Sequence, residues 1–399
     1  MSVSLEKSNR VVSIDVFRGL TILVMIFVND VASVSNIPGW LKHFPPEGNG
    51  MTFVDLVFPA FLFIVGMSIP LAVRKRIGKG DSTLTILKHI LIRTLGLIII
   101  GVLMVNMGRL NSEITGMSKS LWMLLVFLSV ILVWNSYETK NRYAYILRGT
   151  GIFVIIFLAV IYRGGPAENI TWLQTSWWGI LGLIGWTYIT SCIVYFLFRN
   201  HIAGMAGVLF FFISLYIGER TGAIDFLSGV NEVLWLGGHI GGHTAIATAG
   251  MIVSMVFTSS DYLKTDKEKI TWTLVFALIL FLTGFMLYPL YGINKNMATP
   301  AWDLYCSAIC AVLFVLLYFV IDMKGYKRWT FVFSPTGSNP LLAYILPDIF
   351  YAILGLLHIT FIGVYLSDGI LGILRSIIIT ALMVILTSFL TKKKVRLHL

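Results

Sequence analysis

Charged residues are scarce in this chain of 399 residues. Aspartate, glutamate, lysine and arginine make up 12% of it, whereas 57% is hydrophobic and the mean hydropathy is +0.86. A soluble globular protein carries about 25% charged residues, so this chain has too few to cover a surface that faces water. The composition excludes an ordinary soluble protein and predicts an all-α polytopic membrane protein with one domain over residues 1–399.

Cysteine is also rare, and several common catalytic motifs are missing. Cys192, Cys306 and Cys310 all fall within apolar stretches. The last two are four residues apart, on one face of a helix, which is typical of small packing residues rather than a disulfide or a metal site. The sequence has no phosphate-binding glycine loop, no nucleophile elbow and no HExxH motif.

Long apolar stretches are abundant. A membrane span takes about 20 mostly apolar residues, and twelve segments approach that length. They are residues 12–33, 53–73, 85–107, 119–135, 143–162, 176–198, 201–217, 239–258, 269–291, 301–322, 338–358 and 367–390. The eleventh contains Pro340 and Pro347, so it is a candidate broken or re-entrant helix. The head MSVSLEKSNR lacks a following cleavage site, so we expect the first helix to be retained.

The cationic residues indicate how these spans are oriented. If the N-terminus is inside, the inner segments hold 20 of the 30 Lys and Arg residues and the outer segments hold 6. Every alternate segment then fits the positive-inside rule. We therefore expect a bundle of about twelve helices in the plasma or bacterial inner membrane, with both termini cytoplasmic. The net charge of +11 is explained by these inner loops, so we expect no nucleic-acid partner.

Residues 10–70 form a predicted hairpin of two strong spans around a loop with one histidine, His43. Asn29 and Asp30 close the first span and Asp55 begins the second. Ionisable groups are costly there unless they have a partner or a task. An imidazole exchanges protons near neutral pH, which suits a general base, although a loop histidine is more often idle. Asp55 either favours the helix dipole or orients the imidazole, and the residues alone leave both interpretations open.

Two further polar sites are ambiguous. His239 and His243 are four residues apart, as in a two-histidine metal face, but the sequence shows no third ligand. We favour a polar pocket lining and expect no metal. Arg18 either pairs with Asp15 and reaches the interface, or attracts an anionic cofactor from the cytoplasm.

Five segments carry a family resemblance. The hairpin reads SIDVFRGLTILVMIFVND, a loop with one histidine, and then NGMTFVDLVFPAFLFIVGMSI. Four further segments follow in order: GILGLIGWTYI at 179–189, INKNMATPAW at 293–302, VIDMKGY at 320–326 and GSNPLLAYILPDIF at 337–350. Together they resemble the family of heparan-α-glucosaminide N-acetyltransferase and its bacterial homologues. The matching family motifs are GVLQRLGVTY, VNKNLW, VDVKG and GMNSILVYVGHEVF.

The resemblance implies acetyl transfer from acetyl-CoA to the amine of a glucosamine on the far side of a membrane, and it suggests a homodimer. It implies that His43 is the catalytic histidine, that Asn29 holds the thioester or its oxyanion, and that Asp55 orients the imidazole. His43 either deprotonates the amine in a ternary complex or carries the acetyl group in a ping-pong cycle. The residues expected to bind acetyl-CoA or the amino sugar are Asn294, Lys295, Asn296, His239, His243, Asn339 and Arg18.

The chain departs from the family pattern in three places. The loop at His43 reads HFPPEGNG, two residues longer than the family's HxxWNG and without its tryptophan. We expect the protein to lack the lumenal N-terminal domain of the animal members and the helix pair over 119–162 to be additional to the family core, so polymeric heparan sulfate is not the expected acceptor. Two other hypotheses stay open: a secondary transporter of a sugar or sugar-linked anion, and an O-acyltransferase that acts on a cell-envelope glycan.

Overall fold

The computed structural model describes residues 11–137, 142–199, 201–258 and 263–397. Within these ranges all regular secondary structure is helical, which confirms the all-α prediction. The α-helices, numbered along the chain, are α1 Val12–Val31, α2 Val57–Ile77, α3 Thr83–Met107, α4 Ser112–Thr115, α5 Lys119–Trp134, α6 Arg142–Ile161, α7 Gly179–Phe198, α8 Ile202–Arg220, α9 Ser228–Leu234, α10 His243–Thr258, α11 Asp266–Tyr291, α12 Pro300–Tyr318, α13 Ser334–Ser338, α14 Pro340–Leu356, α15 Phe361–Tyr365 and α16 Gly369–Lys392.

Shorter helical turns extend or connect these helices. The 3-10 helices are Gly39–Leu41, Phe53–Leu56, Asp225–Leu227 and Arg328–Val332, and the π-helices are Leu236–Gly242 and Phe319–Met323. The predicted inner cations Lys7, Arg10 and Lys140 lie outside the described residues.

Ten helices in the described part of the chain are long and apolar enough to cross a membrane. They are α1, α2, α3, α6, α7, α8, α10, α11, α12 and α16, some counted with an adjoining 3-10 or π turn. The predicted spans 119–135 and 338–358 form the shorter apolar helices α5 and α14, of 16 and 17 residues. At 1.5 Å per residue these reach only about 24–26 Å, less than the roughly 30 Å hydrocarbon core. The helices indicate a multi-pass membrane protein, while twelve full spans with cytoplasmic ends stay a prediction.

The helices fall into two compact units, each of which is described by itself. The first contains the described residues of Met1–Arg18, Pro59–Asp81 and Ser191–Ser334. Its centre is α10, which is buried along almost its whole length and packs against α8, α11 and α12. The α2 helix also meets it, because a Cβ at Gly66 would overlap the carbonyl of Ala247 and one at Gly250 would overlap that of Phe63. Such small residues allow close backbone contact between membrane helices.

The second unit contains the described residues of Gly19–Phe58, Ser82–Thr190 and Pro335–Leu399. In it α5 packs against α3, α6 and α14, and α14 packs against α16. The loop after α1 is tied to the start of α16, since the Ser35 N–H donates to the carbonyl of Ser367 at 2.8 Å and Asn36 donates to Asp368 at 2.6 Å. This unit therefore holds the histidine loop in place. A single domain over 1–399 stays a prediction.

Candidate active site

His43 lies in the loop between α1 and α2, beside the carboxylate of Asp55. Its Nδ1 is 2.7 Å from Oδ1 of that residue. A carboxylate only accepts hydrogen bonds, so Nδ1 carries a proton, and in a neutral imidazole this tautomer has its lone pair at Nε2. The imidazole is 47% exposed, whereas the carboxylate is 2% exposed. The pair has the arrangement of an oriented base, in which a buried acid holds a reachable imidazole in one tautomer.

Asp55 also anchors the start of the second span. Its Oδ2 accepts hydrogen bonds from the backbone N–H groups of Phe44 and Thr52, both at 3.0 Å. The contact with the N–H three residues earlier is the acidic half of a capping box. One oxygen of the carboxylate thus contacts the helix start and the other contacts the imidazole, and a role for Asp55 in orienting a catalytic base stays a prediction.

The loop around His43 packs on its own side chains. The ring of Phe44 lies so close to Gly48 and Gly50 that a Cβ at either position would overlap it. The Thr52 hydroxyl closes the loop by donating to the carbonyl of Lys42 at 2.6 Å. The loop segment that is longer than the family pattern therefore forms a turn folded onto Phe44, and His43 contacts Asp55 beside it.

Asn29 lies in the last turn of α1 and is exposed. It lines a cavity of about 320 Å³ within the second unit. The wall is mainly apolar, with Ile26, Met104 and Ile180, and it also includes residues of α14. In the described residues His43 is not part of this lining. The structure thus joins His43 to Asp55 directly, and Asn29 lines a cavity together with residues of α3, α7 and α14.

Asp30, the next residue, is buried and fully bonded. Its carboxylate accepts from Arg375 Nη2 at 3.0 Å, from Ser376 Oγ at 2.6 Å and from the Tyr351 hydroxyl. Both members of the ion pair are almost inaccessible, with side chains 1% and 5% exposed. The sequence alone does not predict the pairing of Asp30 with Arg375. The available signal was that each is a charge in an apolar span and needs an opposite partner.

His239 and His243 lie in the first unit, in a column of aromatic rings. The two imidazoles stack with centroids 5.6 Å apart and an interplanar angle of 15°. Trp235 meets His239 edge to face at 4.7 Å, and Trp302 meets His243 at 6.5 Å. The first histidine belongs to the π-helix before α10 and the second opens α10. The predicted pair is therefore adjacent and buried.

Asp303 is a buried acid beside this column. Its carboxylate lies against Gly242, where a Cβ would overlap it, and neither oxygen has a hydrogen-bond partner in the described residues. No group of three or more His, Cys, Asp or Glu residues in the described chain is arranged to hold a metal ion. The sequence indicated the histidines but not the close approach of Asp303 to Gly242, the residue before His243.

The other predicted residues of the first unit lie in two places. Arg18 pairs with Asp15 at 3.2 Å, as one of its two interpretations predicts. Asn294, Lys295 and Asn296 lie in the connection between α11 and α12. There the Asn294 side chain accepts from a backbone N–H three residues on, at 3.0 Å, which shapes the turn.

Asn339 is fully buried in the second unit, just before α14. Its amide nitrogen donates to Thr391 Oγ1 at 3.0 Å and to the Val395 carbonyl at 2.8 Å. Its oxygen accepts from the Leu397 N–H at 3.1 Å. These bonds hold the C-terminal segment. Ligand-binding roles for Asn294, Lys295, Asn296, His239, His243, Asn339 and Arg18 stay predictions.

Comparisons with known proteins place the histidine loop in a family. The family model described as "Domain of unknown function (DUF5009)" matches residues 10–235, more than half of the chain. The chain belongs to this family. The matched region includes Asn29, His43 and Asp55, so the family covers the whole predicted catalytic set.

Two curated proteins are similar to part of this DUF5009 member. Heparan-alpha-glucosaminide N-acetyltransferase of Mus musculus is 41% identical over 101 residues, which are 25% of this chain and 15% of the relative. The Homo sapiens protein of the same name is 39% identical over 97 residues, 24% of this chain and 14% of the relative. These matches confirm the resemblance predicted from the motifs. They cover only about one seventh of each relative's own length.

Proposed function

We propose that this membrane protein is an acetyl-CoA-dependent N-acetyltransferase. In this proposal it moves acetyl from cytoplasmic acetyl-CoA to the amine of glucosamine, or of a sugar containing it, on the periplasmic or outer side. The observation that carries the proposal is the 2.7 Å contact between His43 and Asp55, which the family resemblance predicts. The similarity to an N-acetyltransferase supports the reaction class.

The chemistry follows from the orientation of the imidazole. Nε2 of His43 takes a proton from the acceptor amine while the amine nitrogen attacks the thioester carbonyl. The C–N bond forms, the C–S bond breaks, and the imidazolium returns the proton to the departing thiolate, which yields CoA. Asp55 stabilises the imidazolium, as carboxylates do in triads, and Asn29 donates its amide to the oxyanion.

The same imidazole also supports a two-step route. In that route Nε2 attacks the thioester carbonyl, the C–S bond breaks, and the CoA thiolate leaves and takes a proton from water. The amine then attacks the acetyl-imidazole, the bond from Nε2 to the acetyl carbon breaks, and the amine proton goes to water. Incubation with radiolabelled acetyl-CoA and no acceptor, followed by an acid quench, separates the two routes. Label on His43 that chases into glucosamine supports the ping-pong route, and unlabelled protein with full turnover supports the ternary complex.

The central test is a His43→Ala variant purified into nanodiscs. We expect release of CoA in the presence of glucosamine to fall by about 10²–10⁴-fold, because a general base contributes that much. The melting temperature should hold to within a few degrees, since the imidazole is 47% exposed and water replaces it at the Asp55 carboxylate. The control is His89→Ala, which removes an exposed histidine of α3 and should leave turnover unchanged.

Full acetyl transfer by His43→Ala contradicts the proposal. Uptake of labelled sugar by proteoliposomes without acetyl-CoA, together with an absence of CoA release, supports the transporter hypothesis instead.

A further inference from the structure

Three polar side chains meet at the cavity that Asn29 lines. Tyr344 and Asp348 of α14 also line it, and because they are four residues apart they share one helix face. In the described residues none of the three side chains has a hydrogen bond or ion pair. One cavity therefore receives an amide, a phenol hydroxyl and a carboxylate whose bonding capacity is unused within the protein.

Asp348 is the unusual member of this group. A carboxylate on an apolar helix is costly unless it has a partner or a task. Asp30, in the same unit, has such partners, because Arg375 and Ser376 donate hydrogen bonds to its carboxylate. Asp348 has no such partner, and no cationic side chain is among the described residues that line the cavity. Its carboxylate is thus available to a cation that enters from outside the protein.

The cavity restricts what that cation is. Its volume of about 320 Å³ lies at the small end of ligand pockets, which span roughly 300–1,000 Å³. The apolar wall suits the face of a sugar ring, and the amide and phenol suit hydroxyl groups. A single amino sugar fits this chemistry and size, whereas a polymer chain does not.

We propose that Asp348 binds the ammonium group of an amino-sugar acceptor in this cavity, with Tyr344 bonded to a neighbouring hydroxyl. The inference rests on the proposed function, and it assigns the choice of amine over hydroxyl to one carboxylate. An ammonium group binds a carboxylate through charge-assisted hydrogen bonds that a neutral hydroxyl does not match. The bound nitrogen also lies in the same cavity as Asn29, the residue proposed to hold the thioester oxygen.

The test compares binding of two matched probes, glucosamine and glucose, to purified protein by isothermal titration calorimetry. We expect the wild type to bind glucosamine more tightly than glucose. Asp348→Asn should weaken glucosamine about tenfold or more and leave glucose and acetyl-CoA unchanged, because only the charged interaction is lost. Glu232→Gln removes an exposed acid of α9 and is the matched control, with all three affinities unchanged.

Three results overturn the inference: no preference of the wild type for glucosamine, unchanged glucosamine affinity in Asp348→Asn, or a loss of acetyl-CoA affinity in that variant. If Asp348→Asn does not fold, Tyr344→Phe carries the test, with an expected severalfold loss for both sugars and none for acetyl-CoA.

A CoA-release assay separates this inference from the proposed function. If glucosamine binding depends on Asp348 but no CoA is released, the amino-sugar site is supported and acetyl transfer is refuted. If the wild type and Asp348→Asn both release CoA with the same KM for glucosamine, the amino-sugar site is refuted and acetyl transfer is supported.

Discussion

Asn29 and Asp30 are neighbours in the sequence and differ in every contact. Asp30 is bonded to Arg375, Ser376 and Tyr351, whereas Asn29 lines a cavity. Adjacent residues on a helix point about 100° apart, so one side chain enters the packed interior while the other faces open space. This division leaves the amide, and not the stronger hydrogen-bonding carboxylate, on the cavity wall, as the role proposed for Asn29 requires.

Asp55→Asn tests the double use of its carboxylate. An amide cannot accept bonds at both ends, so the imidazole loses its fixed tautomer or a backbone N–H loses its partner. We expect kcat for CoA release to fall on the order of 10²–10⁴-fold. We also expect the free energy of unfolding to fall by about 1–3 kcal/mol, unlike His43→Ala.

The control for this variant is Asp225→Asn, which changes an exposed acid near α9. Turnover assays and thermal unfolding in one detergent measure both quantities. An Asp55→Asn protein with wild-type kcat shows that this carboxylate does not orient the base.

At the scale of helices, the first unit depends on how closely α2 and α10 approach. Gly66 and Gly250 each face a backbone carbonyl of the other helix. In lipid the hydrophobic effect does not drive helices together, so close packing of small residues has to stabilise such contacts. We infer that these two glycines set the distance between the helices.

Gly250→Ala should therefore destabilise the protein by about 1–3 kcal/mol or more, because the added methyl overlaps main-chain atoms that cannot rotate away. Gly207→Ala in α8 is the matched control, since a Cβ there has no neighbour within 4 Å. We expect it to be neutral or slightly stabilising. Thermal unfolding of the two variants in the same detergent measures the difference, and equal melting temperatures contradict a tight crossing.

Most helix positions follow from hydropathy, because a backbone in lipid has to bond to itself. The predicted spans 12–33 and 85–107 correspond to Val12–Val31 and Thr83–Met107. Hydropathy does not fix the length of a helix that packs on protein. The α5 and α14 helices contact each other and stop short, and Pro340 sets the start of α14 because its ring is tolerated at the first helical position.

The candidate site likewise has one part that the sequence predicts and one part that it does not. The sequence offers the pairing of His43 with Asp55 as one of two interpretations of the acid. It can do so because both residues lie in one short hairpin. The sequence does not predict the cavity, since Asn29, Met104 and Asp348 come from helices far apart in the chain. A single sequence carries no signal that such distant residues meet.

For the whole molecule, the distribution of lysine and arginine predicts which loops face the cytoplasm. Single-cysteine labelling of intact cells tests it. Glu47→Cys in the histidine loop should react with a membrane-impermeant maleimide, and Lys79→Cys after α2 should react only after lysis, because the two exposed positions flank one span.

The native cysteines give this experiment a low background, since Cys192, Cys306 and Cys310 are all buried. Labelling of Lys79→Cys but not Glu47→Cys in intact cells reverses the orientation and places the histidine loop in the cytoplasm.

The pair of Asp30 and Arg375 has a consequence for how the chain is made. The acid belongs to the first helix and its cation to the last, 345 residues later. At synthesis rates of about 5–20 residues per second, roughly 20–70 s separate their emergence from the ribosome. During that interval Asp30 has no Arg375 to bind, so we expect α1 to wait at the insertion machinery or near the lipid headgroups until α16 is made.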